Sequence, residues 1–121
     1  MLIITGNVKT KDGYKAVAEL RIGDEVIDSI DRVRKISAIR KGIVDKTVSF
    51  RREGIIISAD SILVTPFGEQ VIDKSKRVTL ITPAGRMIRD DAIVENKQAE
   101  GYEISLEIGE GLVVGQYIVK G

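Results

Sequence analysis

The chain reads as an all-β protein on three counts. Val, Ile, Thr and Tyr gather in short runs, each closed by Gly, Asp, Asn or Pro. No segment repeats apolar residues at helical spacing over three turns. Turn signals recur at Lys11-Asp12-Gly13, Ile22-Gly23-Asp24, Pro66-Phe67-Gly68 and Pro83-Ala84-Gly85.

Taken in order, Leu2–Thr5 is a strand stopped by Gly6, and Val8–Thr10 runs into the first turn signal. Glu25–Asp28 follows the second. Val33–Ile39, Thr47–Arg52, Gly54–Ser58 and Ile62–Thr65 are β-branched runs separated by charged or glycine-bearing breaks. Gln70–Ile72 returns from Pro66-Phe67-Gly68, while Val78–Ile81 and Arg86–Ile88 flank Pro83-Ala84-Gly85. Asp90–Ile93 has room for one helical turn. Tyr102–Glu107, Leu112–Val114 and Gln116–Val119 complete the strands, with Gly109-Glu110-Gly111 read as a hairpin turn, too short for a phosphate loop.

An internal echo runs through this pattern. Leu63-Val64-Thr65-Pro66-Phe67-Gly68 is matched by Leu80-Ile81-Thr82-Pro83-Ala84-Gly85, and Lys9-Thr10-Lys11-Asp12-Gly13 is a looser version. Thr-Pro-x-Gly makes a good hairpin wherever it occurs. Duplication of a β unit would leave the same trace, and both accounts stand at this level.

Composition narrows the chemistry. A chain of 121 residues, 43% hydrophobic and 31% charged, suits one soluble domain spanning 1–121. Nineteen basic and 18 acidic residues leave a net charge of +1, which gives no broad footprint for nucleic acid or an acidic membrane. Leu2-Ile3-Ile4 is far shorter than a signal peptide or membrane span, so cytoplasmic synthesis is the expectation. There is no cysteine and no histidine. Disulfides, thiolate chemistry, cysteine–zinc sites and the Ser-His-Asp and Cys-His mechanisms are thereby excluded within this chain.

Three blocks carry a resemblance. The first joins Val8–Gly13, Val17-Ala18-Glu19-Leu20 and Ile22-Gly23-Asp24-Glu25-Val26. The second is Ile57-Ser58-Ala59-Asp60-Ser61-Ile62-Leu63-Val64-Thr65-Pro66-Phe67-Gly68, and the third joins Tyr102–Glu107 to Leu112–Val119. In this order they resemble inteins and Hedgehog-type autoprocessing (Hint) domains, over roughly residues 1–28, 54–70 and 100–121. The segments 29–53 and 71–99 match only in length and β character. The resemblance implies a flattened, pseudo-twofold assembly of bent antiparallel strands with adjacent termini, plus one helical turn at Ala16–Leu20.

The same resemblance implies that the chemistry is gone. Met1 falls where the family places its nucleophilic cysteine or serine, and a thioether has no proton to lose. As the first residue, Met1 is also expected to lack an upstream peptide bond to attack. Ser58 takes the place of a threonine that helps hold the strained peptide. Ser61 takes the place of the histidine that protonates the leaving amide, which a serine hydroxyl cannot do near neutral pH. Lys120 and Gly121 stand where a histidine and a cyclising asparagine close active members. Glu103 keeps an accessory acidic position, and Glu110 lies where a further histidine is often found. The expected catalytic set is therefore empty, with no cofactor and no metal.

The remaining candidates read as solvated surface. Asp73, Asp90, Asp91 and Glu95 lack the loop spacing of an oxygen-only cation site. Lys74, Lys76 and Arg77, or Arg32, Arg34, Lys35, Arg40 and Lys41, read as charge on strand faces, and five aromatics leave little for stacking on single strands. Thr5 before Gly6 lacks a neighbouring base for a nucleophile. The expected function is a non-enzymatic structural or interaction module, partnered by another protein or by itself, and a candidate component of a phage virion. An autoprocessing domain using Ser58, Ser61 or Thr5 is the alternative, followed by a small nucleic-acid-binding barrel.

Overall fold

A computed structural model describes residues 1–50, 53–65, 68–71, 79–81, 87–89 and 93–121, with the backbone alone at 65, 70, 79–81 and 87–89. Its regular elements are strands, apart from one short 3-10 turn. In chain order these are β1 (Ile3–Thr5), β2 (Asn7–Thr10), β3 (Gly13–Ala16), β4 (Glu25–Ile27), β5 (Val33–Val44), β6 (Thr47–Phe50), β7 (Ile55–Ser58) and β8 (Ile62–Thr65). There follow β9 (Gly68–Val71), β10 (Thr79–Ile81), β11 (Met87–Arg89), β12 (Ile93–Glu95), β13 (Ala99–Leu106), β14 (Leu112–Val114) and β15 (Tyr117–Lys120). The expected helical turn at Ala16–Leu20 is a single 3-10 turn over Val17–Glu19.

Every pairing is antiparallel, and one curled sheet runs β12-β6-β7-β1-β13-β5-β4-β2-β14-β15-β8-β9, with β3 beside β2 and β10-β11 apart. β5 bends the sheet. Its first residues, Val33–Lys35, pair with β4, and from Ile36 onward it pairs with β13. The two segments that it joins close over a common core. Ile3, Val8, Val26, Val48, Ile57, Leu63, Val114 and Val119 are fully buried there, with Phe50 stacked on Tyr117 at 4.4 Å between ring centroids. β1 passes so close to β13 that a Cβ at Gly101 would lie 2.9 Å from the Ile3 carbonyl oxygen, which requires glycine there.

The turn reading holds where turns are described. Thr10 pairs with Gly13 and Thr65 pairs with Gly68, so the looser Lys9 version and the Leu63 version of the echo close hairpins of the same register. The Leu80 version pairs Leu80 with Ile88, whereas Leu63 pairs with Gln70, so this hairpin holds one residue more.

Four expectations need correction. Ile93 begins strand β12 rather than ending a helical turn, while 90–92 lie outside the described residues. The Gly109–Gly111 run is not a hairpin turn, because β13 pairs with β1 and β5 whereas β14 pairs with β2 and β15. β3 was not expected as a strand, since Gly-Tyr-Lys-Ala has no β-branched residue, and it forms because β2 templates its whole length. β5 extends to Val44 past the expected stop at Ile39, carried through Arg40 and Lys41 by its ladder with β13.

Candidate functional site

Register alone brings the third of the chain around Ser58 to both termini. Ile3 in β1 pairs with Ile57 in β7, and Lys120 in β15 pairs with Ile62 in β8. The 58–61 connection between β7 and β8 therefore has the first residues on one flank and the last on the other. Met1 donates from its main-chain nitrogen to the Gly121 carbonyl at 3.2 Å. A Cβ on Gly121 would lie 3.6 Å from the Ile62 nitrogen and 3.8 Å from the Asp60 carbonyl oxygen. Met1, Ser58, Ser61 and Gly121 thus converge.

The serine hydroxyls grip this junction. Ser58 and Ser61 are buried, and their Oγ atoms lie 3.1 Å apart. The Leu2 N–H donates to Ser58 Oγ at 2.8 Å, and the Ser58 N–H returns a bond to the Leu2 carbonyl at 2.8 Å. Both bonds reach the backbone of Leu2, so the Ser58 hydroxyl meets the nitrogen of the Met1–Leu2 peptide. Replacing Ser58 with alanine orphans that N–H and the Ser61 hydroxyl together, and should lower stability by about 1–3 kcal/mol, read from urea unfolding.

Lys120 is committed to an ionic clamp. Its ammonium contacts Glu69 of β9 and, at 3.3 Å, Glu110 of the link between β13 and β14. The hydrogen bond it donates to Glu69, then that to Glu110, raises its pKa above the ordinary lysine value. A cavity of about 240 Å³ lies beside the clamp, lined by Met1, Glu103, Glu110, Leu112 and Gly121 among others. Gly111 forms part of its wall at φ +81°, where a Cβ would meet Ser29 Cβ at 2.8 Å and the Val119 carbonyl at 3.0 Å. Thr5 stands apart, its hydroxyl donating to the Gly54 carbonyl at 3.0 Å.

Sequence reasoning missed Asp28. It is buried, its Oδ1 accepts the N–H groups of Ile30 and Arg32, and its Oδ2 accepts Arg34 Nε at 2.9 Å. Arg34 is thus no solvated strand charge. Burial pushes the Asp28 carboxyl up, but Arg34 and the two N–H groups together outweigh it and hold the pKa below the usual value. Asp28 lies beneath Gly109, and Ser29 ties the same turn to the Glu110 carbonyl through both its N–H and its hydroxyl. The signal available in sequence was an acid six residues before an arginine across a tight turn.

Of the other charge readings, Lys41 pairs at the surface with Glu100 at 4.0 Å and lies over the Tyr102 ring. Asp73, Lys74, Lys76, Arg77, Asp90 and Asp91 lie outside the described residues. Among the described residues no group of three or more His, Cys, Asp or Glu gathers to hold a metal ion, and no helix is long and apolar enough to cross a membrane.

The class of fold is settled by comparison with solved structures. The chain is similar to the gp41-1 intein at a TM-score of 0.79 and 17% identity, covering 99% of this chain and 98% of that one. A bacterial intein-like domain from Clostridium thermocellum gives 0.79 and 15%, with the same two coverages. The MchDnaB-1 intein gives 0.74 and 11% over the full length of both chains. The protein therefore has a Hint, intein-like fold. In sequence, neither a family model nor a curated protein matches it.

Proposed function

We propose that this protein is a non-enzymatic structural or protein-interaction module on an intein-like scaffold, which neither splices nor cleaves itself. What carries the reading is the set of groups at the converged ends: Met1, Ser58, Ser61, Lys120 and Gly121. A thioether supplies no nucleophile. The hydroxyls of Ser58 and Ser61 are spent on each other and on the Leu2 N–H, on the nitrogen side of the peptide rather than its carbonyl. Lys120, its pKa raised by Glu69 and Glu110, stays protonated and is a poor base. The only asparagines, Asn7 and Asn96, lie on β2 and just after β12. By resemblance, then, the frame of a processing domain is present with different side chains in its working positions.

As a scaffold it offers strand edges. Among the described residues β12 ends the sheet and β3 flanks it, so each presents main-chain groups to which another chain can add. Membership of a larger assembly, such as a phage virion, is the use we assign to it. Intact-mass measurement after prolonged incubation, with the domain alone and placed between two reporter segments, is expected to show no change. Cleavage that disappears in Ser61→Ala would overturn the reading in favour of serine-based autoprocessing.

A further inference from the structure

A long strand edge stays open on β5. Val33–Lys35 pair with β4, and Ile36 exchanges main-chain bonds with Gly23 and Asp24. From Ser37 to Val44 the strand pairs with β13 on one side only. Among the described residues no main-chain hydrogen bond meets its other side. The open stretch spans about 26 Å, enough for a whole added strand. None of residues 37–44 is buried, Ile43 is 64% exposed, and the stretch holds no proline. The ladder with β13 already holds this backbone extended, so an incoming segment meets donors and acceptors in place, at a reduced ordering cost.

Charge selects what can pair there. β5 carries Arg34, Lys35, Arg40 and Lys41 and no acidic residue. Arg34 is held by Asp28 and Lys35 faces Glu25 in the β4 register, which leaves Arg40 and Lys41 on the open stretch. A second copy adding by the same edge would set these cations against each other, and like charge across a ladder opposes pairing. β13 shows the composition that the stretch accepts. It has Glu100 and Glu103 and no basic residue, with Glu103 facing Arg40 in register and Glu100 in loose contact with Lys41 at 4.0 Å. Both cations are exposed, and among the described residues Arg40 makes no ion pair even with Glu103 across from it. Each is free to turn toward an acid on the open side.

We infer that residues 37–44 of β5 receive an extended acidic segment of a partner protein, added as a strand on the side away from β13. The inference rests on reading the protein as an interaction module, and states the chemistry of its partner. Main-chain hydrogen bonds hold such a segment, and its carboxylates meet Arg40 and Lys41. A single peptide strand is expected to bind with a Kd on the order of 100 µM.

The probe is a capped peptide of about nine residues alternating Glu and Val, titrated to about 1 mM against the isotope-labelled protein. Amide signals of residues 37–44 should shift and their hydrogen exchange slow, while those of β12 and β3 stay unchanged. The same peptide N-methylated throughout keeps its charge but loses every main-chain donor, and should bind at least about ten-fold more weakly. Exchanging its Glu for Lys should weaken binding as much. Arg40→Gln combined with Lys41→Gln should weaken binding of the acidic peptide at least about five-fold, with circular dichroism unchanged because both side chains are exposed. No response of 37–44 at about 1 mM, a response confined to another edge, or equal binding of the lysine or N-methylated peptide would overturn the inference. Each of those results leaves the non-enzymatic reading standing, because that reading is judged on intact mass.

Discussion

Asp28→Ala is expected to lower the unfolding free energy by about 3 kcal/mol, the low end for removing one partner of a buried ion pair. Three donors lose their acceptor at once: the N–H groups of Ile30 and Arg32 and the Nε of Arg34. The cost stays at the low end because the Arg34 side chain keeps 22% of its exposure and regains some water. For a domain of this length that corresponds to a fall in melting temperature of about 10 °C. Asp28→Asn keeps an oxygen for the two N–H groups but sets an amide NH2 against Arg34 Nε, so the arginine still loses its acceptor and the loss should be smaller than in Asp28→Ala by only about 1 kcal/mol.

The same carboxyl gives a pH signature. Its folded pKa lies below the ordinary value of about 3.9. As pH falls, the unfolded chain takes up the proton first, so the stabilisation is complete above about pH 4 and is lost as pH drops through the lower folded value. Asp24, lowered by the Arg21 N–H and by Lys15, adds an exposed contribution in the same window. Denaturant unfolding between about pH 2 and pH 6 should therefore show a shallower acid slope in Asp28→Asn than in the unmodified chain. An unchanged slope would mean that Asp28 is not ionised against Arg34 in the folded state.

Much of this fold is legible in the sequence, for a physical reason. β-Branched runs bounded by turn residues specify strands locally, and Thr10-Lys11-Asp12-Gly13 and Thr65-Pro66-Phe67-Gly68 specify hairpins locally. β3 and the far end of β5 are strands because a neighbour's ladder makes them so, which no local propensity states. The site divides in the same way. Ser58, Ser61 and the termini could be picked out by block, but their contact depends on the Ile3–Ile57 and Lys120–Ile62 registers across the whole chain. Lys120 looked like a bare loss, since Glu69 and Glu110 reach it only through folding. Asp28 was missed because a carboxylate near a turn usually faces water; its burial follows from the 109–111 link closing over it.

Phe50→Ala should cost about 3–5 kcal/mol, the usual range for emptying a buried aromatic site. Phe50 is 1% exposed and its ring lies 4.4 Å from that of Tyr117, itself 2% exposed, so the variant loses both the transfer term and the ring pair. The contact matters beyond its size because of what each strand carries. Phe50 ends β6, whose neighbour β7 bears Ser58, while Tyr117 begins β15, which bears Lys120 and leads to Gly121. The ring pair therefore braces the two segments whose ends meet at Met1. Phe50→Leu retains most of the apolar volume and should cost only about 1–2 kcal/mol. Urea unfolding orders the two variants, and amide exchange at Ser58, whose N–H is bonded to the Leu2 carbonyl, should quicken in the same order. If Phe50→Ala unfolded no more easily than Phe50→Leu, the ring pair would not be the brace between these strands.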